Sequence, residues 1–207
     1  MKSIIKKLLR EGLNESAIGK TLIVVDIQPE YQNAFGNMHH DLFEYINENY
    51  NEISNLIFLY NGESLAMVSE SDFRYWMLES GLNEDIAFNT HTYDKGYAFF
   101  RYCMDEGIDH EQTVNLIKHM IANNVHDSRD LNKEFWDSFI SEYGNTNIRE
   151  LLEFSDDAIY IPDLMDELKP LNNIVLVGGG INECLKEVEI ALDALDKPYQ
   201  TWSQYTY

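Results

Sequence analysis

Two apolar runs constrain this chain more than any other feature. Residues 21–27 read TLIVVDI and residues 173–178 read NIVLVG. Neither run alternates apolar with polar side chains, so neither suits a sheet with one face in water. Unbroken β-branched runs of this length fit strands covered on both faces, as in parallel sheets whose crossovers place helices on each side. LIFLYN (56–61), AIYIP (158–162) and PYQTW (198–202) read as further strands. SLAMV (64–68) reads as a short extra strand or turn, and IAFNTHT (86–92) as extended chain. Helical spacing lies between them. Residues 41–55 place Leu42, Phe43, Ile46, Tyr50 and Ile53 on one face, and residues 109–124 do the same with Val114, Ile117, Met120 and Ile121. Segments 96–107, 131–144, 148–154, 163–169 and 182–195 also read as helices, as does ESDFRYWMLES, capped by Ser69 or Ser71 and stopped at Gly81. Strand and helix alternate at both ends of the chain. The expected fold is therefore a three-layer α/β/α domain with a mostly parallel central sheet and a helical insertion at about 96–154.

With 207 residues, one domain over 15–207 is expected, preceded by an amphipathic arm over 1–14. In the arm Ile4, Ile5, Leu8 and Leu9 face away from Lys2, Lys6 and Arg10. It reads either as a helix packed on the body or as a docking peptide for a protein partner. The basic residues are interleaved with the apolar ones, unlike a secretory signal. No apolar stretch approaches the length of a membrane span. The net charge is −21. A surface that acidic repels a phosphate backbone, so nucleic acid is not an expected partner. A basic partner, a small-molecule ligand and an assembly of identical copies all remain compatible. The two cysteines, Cys103 and Cys184, show neither disulfide-framework nor zinc spacing. The expected setting is a reducing, cytoplasm-like one, with no metal and no cofactor.

Chemistry in an open α/β sheet gathers beyond the carboxyl ends of its strands. One apolar run ends in Asp26, followed by Gln28, Pro29 and Glu30; the other ends in Gly178-Gly179-Gly180. The glycine turn admits three readings. It is a cradle for an anion, a structural turn whose helix is capped by Asn182 or Glu183, or a mount for the thiol of Cys184. Glutamates 183, 187 and 189 oppose an anion there. A thiol at a helix N-terminus gains stability as the thiolate, and Asp26 on the neighbouring strand end would serve as its base. The candidate ligand-binding residues are Gln28, Gly178, Gly179, Gly180, Asn182 and Glu183.

LIVVDIQPEY resembles the first strand of the isochorismatase-like cysteine hydrolases, in which an apolar strand ends in an aspartate followed by one residue and a glutamine. IVLVGGGINECLKEVEIALDAL is similar to the nucleophile segment of that family, with six residues from Gly178 to Cys184 and a long alanine-bearing helix. YDKGYAFF (93–100) resembles its lysine segment. The resemblance implies Asp26 as base, Lys95 as the charge-stabilising member and Cys184 as the nucleophile, acting on an amide or related bond. Ile181-Asn182-Glu183 stands where the family carries a threonine or alanine, and Glu183 is expected to raise the thiol pKa. YDKGYAFFR, NNVHDSRDL and the MKSIIKKLLREGL start also resemble uncharacterised proteins of large tailed bacteriophages. That likeness implies a noncatalytic, virion-associated or host-interacting protein.

Elsewhere the bland readings lead. His39-His40 reads as a solvated loop, and Asp127 or Ser128 as a helix cap beside Arg129. Glu70, Asp72 and Arg74 mark a charged helix start; Trp76, Trp136 and Trp202 read as core anchors.

Overall fold

A computed structural model describes residues 19–62, 69–95, 103, 105–126, 130–144, 147–152 and 162–207. Apart from one-turn helices, the elements in chain order are β1 (Thr21–Val25), α1 (Met38–Asn49), β2 (Asn55–Tyr60), α2 (Glu70–Glu79), α3 (Glu84–Asn89), β3 (His91–Asp94), α4 (His110–Ala122), α5 (Lys133–Tyr143), α6 (Asn147–Leu152), α7 (Pro162–Leu168), β4 (Ile174–Gly178), α8 (Cys184–Ala194) and β5 (Tyr199–Thr201). The five strands form one sheet in the order β3-β2-β1-β4-β5, and every pair is parallel.

Both faces of the sheet are covered, as the two unbroken apolar runs require. Ile23, Val25, Ile57, Leu59, Ile174 and Leu176 face one core, filled by α4, α5, α7 and α8. Leu22, Val24, Leu56, Phe58, Val175 and Val177 face the other, filled by α1, α2, α3 and Trp202. The alternation of side chains along each strand divides one apolar run between two cores. The fold is thus the expected three-layer α/β/α arrangement on a parallel sheet. Trp136 and Trp202 are buried and Trp76 packs against the second core, as anchors.

Local signals set the helix ends. Ser69 accepts from the amide of Asp72 at 3.3 Å and caps α2. Asp109 accepts from Gln112 at 2.8 Å, and Asn132 from Phe135 at 3.0 Å, capping α4 and α5. Each gives one of the first helical amides a partner. Arg74 ties α2 inward: it reaches Glu70, the carbonyls of Ala87 and Thr90, and the Thr92 hydroxyl.

The structure differs from expectation in three places. Residues 84–89 are helical, with Ile86 and Ala87 turned into the core and Glu84 and Asp85 in the first turn; of the stretch 86–92 expected to be extended, only 91 and 92 are strand, in β3 (His91–Asp94). His39 and His40 belong to α1 and not to a loop. His39 is buried, with its Nδ1 3.1 Å from the Gly36 carbonyl and its ring edge-on to Phe35. Pro162 opens a helix, so it ends no strand; residues 158–161 lie outside the described residues. So do the arm, the stretch 64–68, and Asp127, Ser128 and Arg129. Among the described residues no helix is long and apolar enough to cross a membrane.

Candidate active site

The strand order reverses between β1 and β4. From β1 the chain winds outward through β2 and β3, and the later strands lie on the other side. Connections leaving in opposite directions open a crevice at the carboxyl rim, where α/β proteins place their ligands. Val25 pairs with Gly178 across this point, so Asp26 and the glycine turn are neighbours.

The turn is shaped by sterics. Gly178 lies at φ +76°, where an added Cβ would sit 2.4 Å from the Val25 carbonyl oxygen. Gly179 lies at φ +61°, 3.0 Å from the amide nitrogen of Leu185 by the same measure. Gly180 needs no left-handed backbone; its carbonyl accepts from the amides of Glu183 and Leu185 at 3.0 and 3.2 Å. This carbonyl does the holding that was expected of Asn182 or Glu183. Glu183 occupies the cap position of α8 with no side-chain capping bond, and both residues are exposed. Tyr207 fastens the turn from outside: its amide donates to Gly179 O at 3.2 Å, and its carbonyl accepts from Ile181 at 2.8 Å.

Asp26 itself is strained, at φ +44°. That region is uncommon for a side-chain-bearing residue, although aspartate enters it more readily than most. Its amide bonds to Leu59 O at 2.9 Å, which fixes the end of β1 against β2. Gln28 adds a second tie. Its side chain receives the Asn61 amide at 2.9 Å and donates to the Asn61 carbonyl at 3.2 Å and to Glu30 at 3.0 Å. Gln28 is buried and serves as a clamp between the ends of β1 and β2.

Lys95 follows β3 directly, with its amide on Tyr60 O. Its Nζ stands 3.1 Å from Asp26 Oδ2 and 2.7 Å from Glu187 Oε2. All three residues are buried: Asp26 is 0%, Lys95 3% and Glu187 4% exposed. Burial alone would pull the lysine pKa down, but the carboxylates of Asp26 and Glu187 outweigh it and hold the ammonium charged. Among the described residues neither Asp26 oxygen accepts a well-directed hydrogen bond; the carboxylate faces the Lys95 ammonium and the Cys184 thiol.

Cys184 opens α8 and is half-buried. Burial pushes its thiol well above the ordinary value. The Asp26 charge adds to this, as do contact with that carboxylate and the Glu187 charge, while Lys95 opposes them. Cys184 therefore rests as the neutral thiol, facing a carboxylate. The sequence assigned the upward push to Glu183; the acids that exert it are Asp26 and Glu187. Two phenols complete the group. Tyr207 Oη lies 3.4 Å from the Asp26 carbonyl oxygen, and both Tyr207 and Tyr31 are raised, first by burial and with the Asp26 charge adding to it.

The structure thus brings Asp26, Lys95 and Cys184 together. It places Gly178, Gly179 and Gly180 in the turn beneath Cys184 and Gln28 in a clamp. Glu187, Tyr31 and Tyr207 were missed. The one sequence signal for Glu187 is its place three residues after Cys184 on the same helix face, which does not set it apart from the solvated acids of that helix. Tyr207 carries no local signal. Among the described residues no group of three or more His, Cys, Asp or Glu side chains is placed to hold a metal ion. Two cavities, of about 460 and 470 Å³, lie against α4 and away from Cys184: one reaches Phe139 and Tyr143, the other Asp193 and Lys197. The chemistry does not select either. Comparison with protein-family models, curated proteins and solved structures found no match.

Proposed function

We propose that this chain is an isochorismatase-like cysteine hydrolase that cleaves an amide or related carbonyl bond in a small molecule at the carboxyl rim of the sheet. One observation carries the reading: a half-buried thiol faces a buried carboxylate that is ion-paired to a buried lysine at 3.1 Å. In a nucleophilic mechanism Cys184 Sγ bonds to the carbonyl carbon as its proton passes to Asp26. Backbone amides at the start of α8, other than those of Glu183 and Leu185 that Gly180 O already engages, hold the oxyanion. The C–N bond then breaks, the amine departs with the proton from Asp26, and a thioester remains on Cys184. Water adds to the thioester with Asp26 taking its proton, and the carboxylic acid and free thiol are restored. Lys95 keeps its proton throughout, holds Asp26 in place and offsets negative charge on sulfur. The proton moves within the cluster, so the site's net charge is unchanged by the first transfer. That suits a buried setting, where creating a new charge is costly.

The test is ammonia release from a panel of small primary amides, with the thioester trapped by acid quench and located by mass spectrometry. Wild type should turn over at least one amide and carry the adduct on Cys184. Cys184→Ala should be inactive, and Asp26→Asn slower by about 10²–10⁴-fold, the range of a lost general base.

Glu187 favours a second reading. A second carboxylate on Lys95 reduces what the lysine can offer the thiol, as in a site kept for binding alone. The protein would then be a noncatalytic, phage-type interaction protein with an acidic surface, in the host cytoplasm or the virion. No turnover, with a ligand still bound at the rim, is the outcome that supports it.

A further inference from the structure

The segment after β5 crosses the carboxyl rim and reaches the candidate site. Trp202 donates its amide to Leu176 O at 3.0 Å, so the segment starts against β4. Trp202 and Tyr205 are buried, and both rings pack on Tyr45 of α1, at 5.5 and 5.8 Å. Further on, Tyr207 sets its ring 5.7 Å from that of the buried Phe35. Seated there, Tyr207 bonds to both chain segments that carry the reacting groups. Its amide donates to Gly179 O at 3.2 Å, its carbonyl accepts from Ile181 N at 2.8 Å, and its phenol donates to Asp26 O at 3.4 Å. The two backbone bonds fix the turn that leads to Cys184. The phenol fixes the carbonyl side of Asp26, whose amide is already held by Leu59 O at 2.9 Å.

We propose that Tyr207 is a positioning residue that locks Asp26 to the glycine turn, at the separation where the carboxylate receives the Cys184 proton. The inference rests on the reading of Cys184 as a nucleophile and adds to it a residue from outside the Asp26, Lys95 and Cys184 group. Asp26 lies at φ +44°, a conformation that a side-chain-bearing residue keeps only when its surroundings impose it. Its backbone dihedrals set the direction of its Cα–Cβ bond, and so the place of its carboxylate. Without the phenol the carbonyl side of Asp26 relaxes and the carboxylate drifts from the thiol. A misplacement of about 1 Å at a reacting group costs on the order of 10²-fold in rate, so a partial drift is enough to be measured.

The probe is p-nitrophenyl acetate on the full chain. A C–S bond forms at the acetyl carbon, the ester C–O bond breaks, nitrophenolate leaves, and the thiol proton passes to Asp26. Peptide mass mapping separates Cys184 from Cys103, which is fully buried and whose thiol is pushed up to about 12 by burial. The variants form a double-mutant cycle: wild type, Tyr207→Phe, Asp26→Asn and the pair together, all at about pH 8.5, near the ordinary thiol pKa, where Asp26→Asn still reacts through its thiolate. Phenylalanine keeps the ring on Phe35 and removes only the phenol oxygen. Urea unfolding of each variant, with an unchanged m-value, marks an intact native state. Tyr207→Phe should slow acetylation of Cys184 by about three- to tenfold, the worth of one hydrogen bond. In the Asp26→Asn background the same change should alter the rate by less than about twofold, because the group it positions is no longer a base. Thr206→Ala removes a bond to Ser203 O in the same segment and should leave the wild-type rate unchanged.

A merely structural Tyr207 would slow both backgrounds by the same factor, and that result overturns the proposal. So does a Tyr207→Phe rate within about twofold of wild type, below the worth of one hydrogen bond. Either result, with Cys184 acetylated in wild type, sinks this inference and leaves the nucleophile reading standing. No acetylation of Cys184 in wild type sinks both.

Discussion

Replacing Lys95 with methionine isolates what the ammonium does, because methionine keeps a long flexible stem and removes the charge. Asp26 and Glu187 would then remain buried with their common cation gone. Breaking a buried ion pair from one side costs about 3–5 kcal/mol, since the surviving charge is left in a medium that solvates it poorly. Here two carboxylates survive, so the upper part of that range applies. Against a typical domain stability of about 5–15 kcal/mol, this is a third or more of the total. The midpoint should fall by roughly 10 °C or more, at about 2–4 °C per kcal/mol for a chain of this size. Urea unfolding at neutral pH reads the loss directly, with an unchanged m-value marking an intact native state. The double variant Lys95→Met, Glu187→Gln should recover part of it, because one of the two buried carboxylates that faced Lys95 is removed. A loss under about 1 kcal/mol, the level of an exposed pair, would show that water reaches the cluster and would refute the reasoning from burial.

Further outcomes follow from the same geometry. Gly178→Ala should lower stability by about 2 kcal/mol or more, combining a left-handed backbone with a Cβ 2.4 Å from a carbonyl oxygen, and should slow labelling of Cys184; thermal unfolding with an unchanged midpoint would contradict this. Burial, then the neighbouring His40, lowers the His39 pKa, while its bond to Gly36 opposes them. The unfolded chain therefore takes up the proton first, and stability should fall as pH drops below about 6.5; His39→Phe should flatten that slope in urea titrations. The raised Cys184 thiol keeps its proton in the folded state after the unfolded chain has lost it. Its contribution is complete below about pH 8.5 and is lost at higher pH, so Cys184→Ala should shrink the alkaline loss of stability.

Much of the sheet was legible because β1 and β4 are buried on both faces, and only apolar, β-branched residues serve there. Helix α4 was legible for the related reason that its apolar face repeats at helical spacing. Residues 84–89 misled because Ile86 and Ala87 form too short a run to show a period, so the acidic first turn was the better guide. His39 misled because a histidine pair reads as polar, while the fold sets its ring against Phe35 and Trp76. Within the site, Asp26 and Cys184 were visible as residues that break apolar patterns at strand and helix ends. Glu187 was hidden by its setting: on an amphipathic helix rich in acids, a glutamate reads as solvated. Only the third dimension shows Lys95, from the far side of β2, meeting it. Tyr207 could not be foreseen, because its contacts to Gly179 and Asp26 depend on how β5 brings the chain back across the rim.

The central claim is that Asp26 takes the proton of Cys184 as sulfur attacks. Acetylation by p-nitrophenyl acetate tests it with a generic acyl donor, followed by nitrophenolate release and by mass mapping of Cys184. Asp26→Asn removes a base and also removes a charge that raises the thiol, so the two roles predict opposite signs. Wild type should be acetylated at Cys184, and Asp26→Asn should slow the step by about 10²-fold or more. Faster acetylation in Asp26→Asn, or none at Cys184 in wild type, would contradict it.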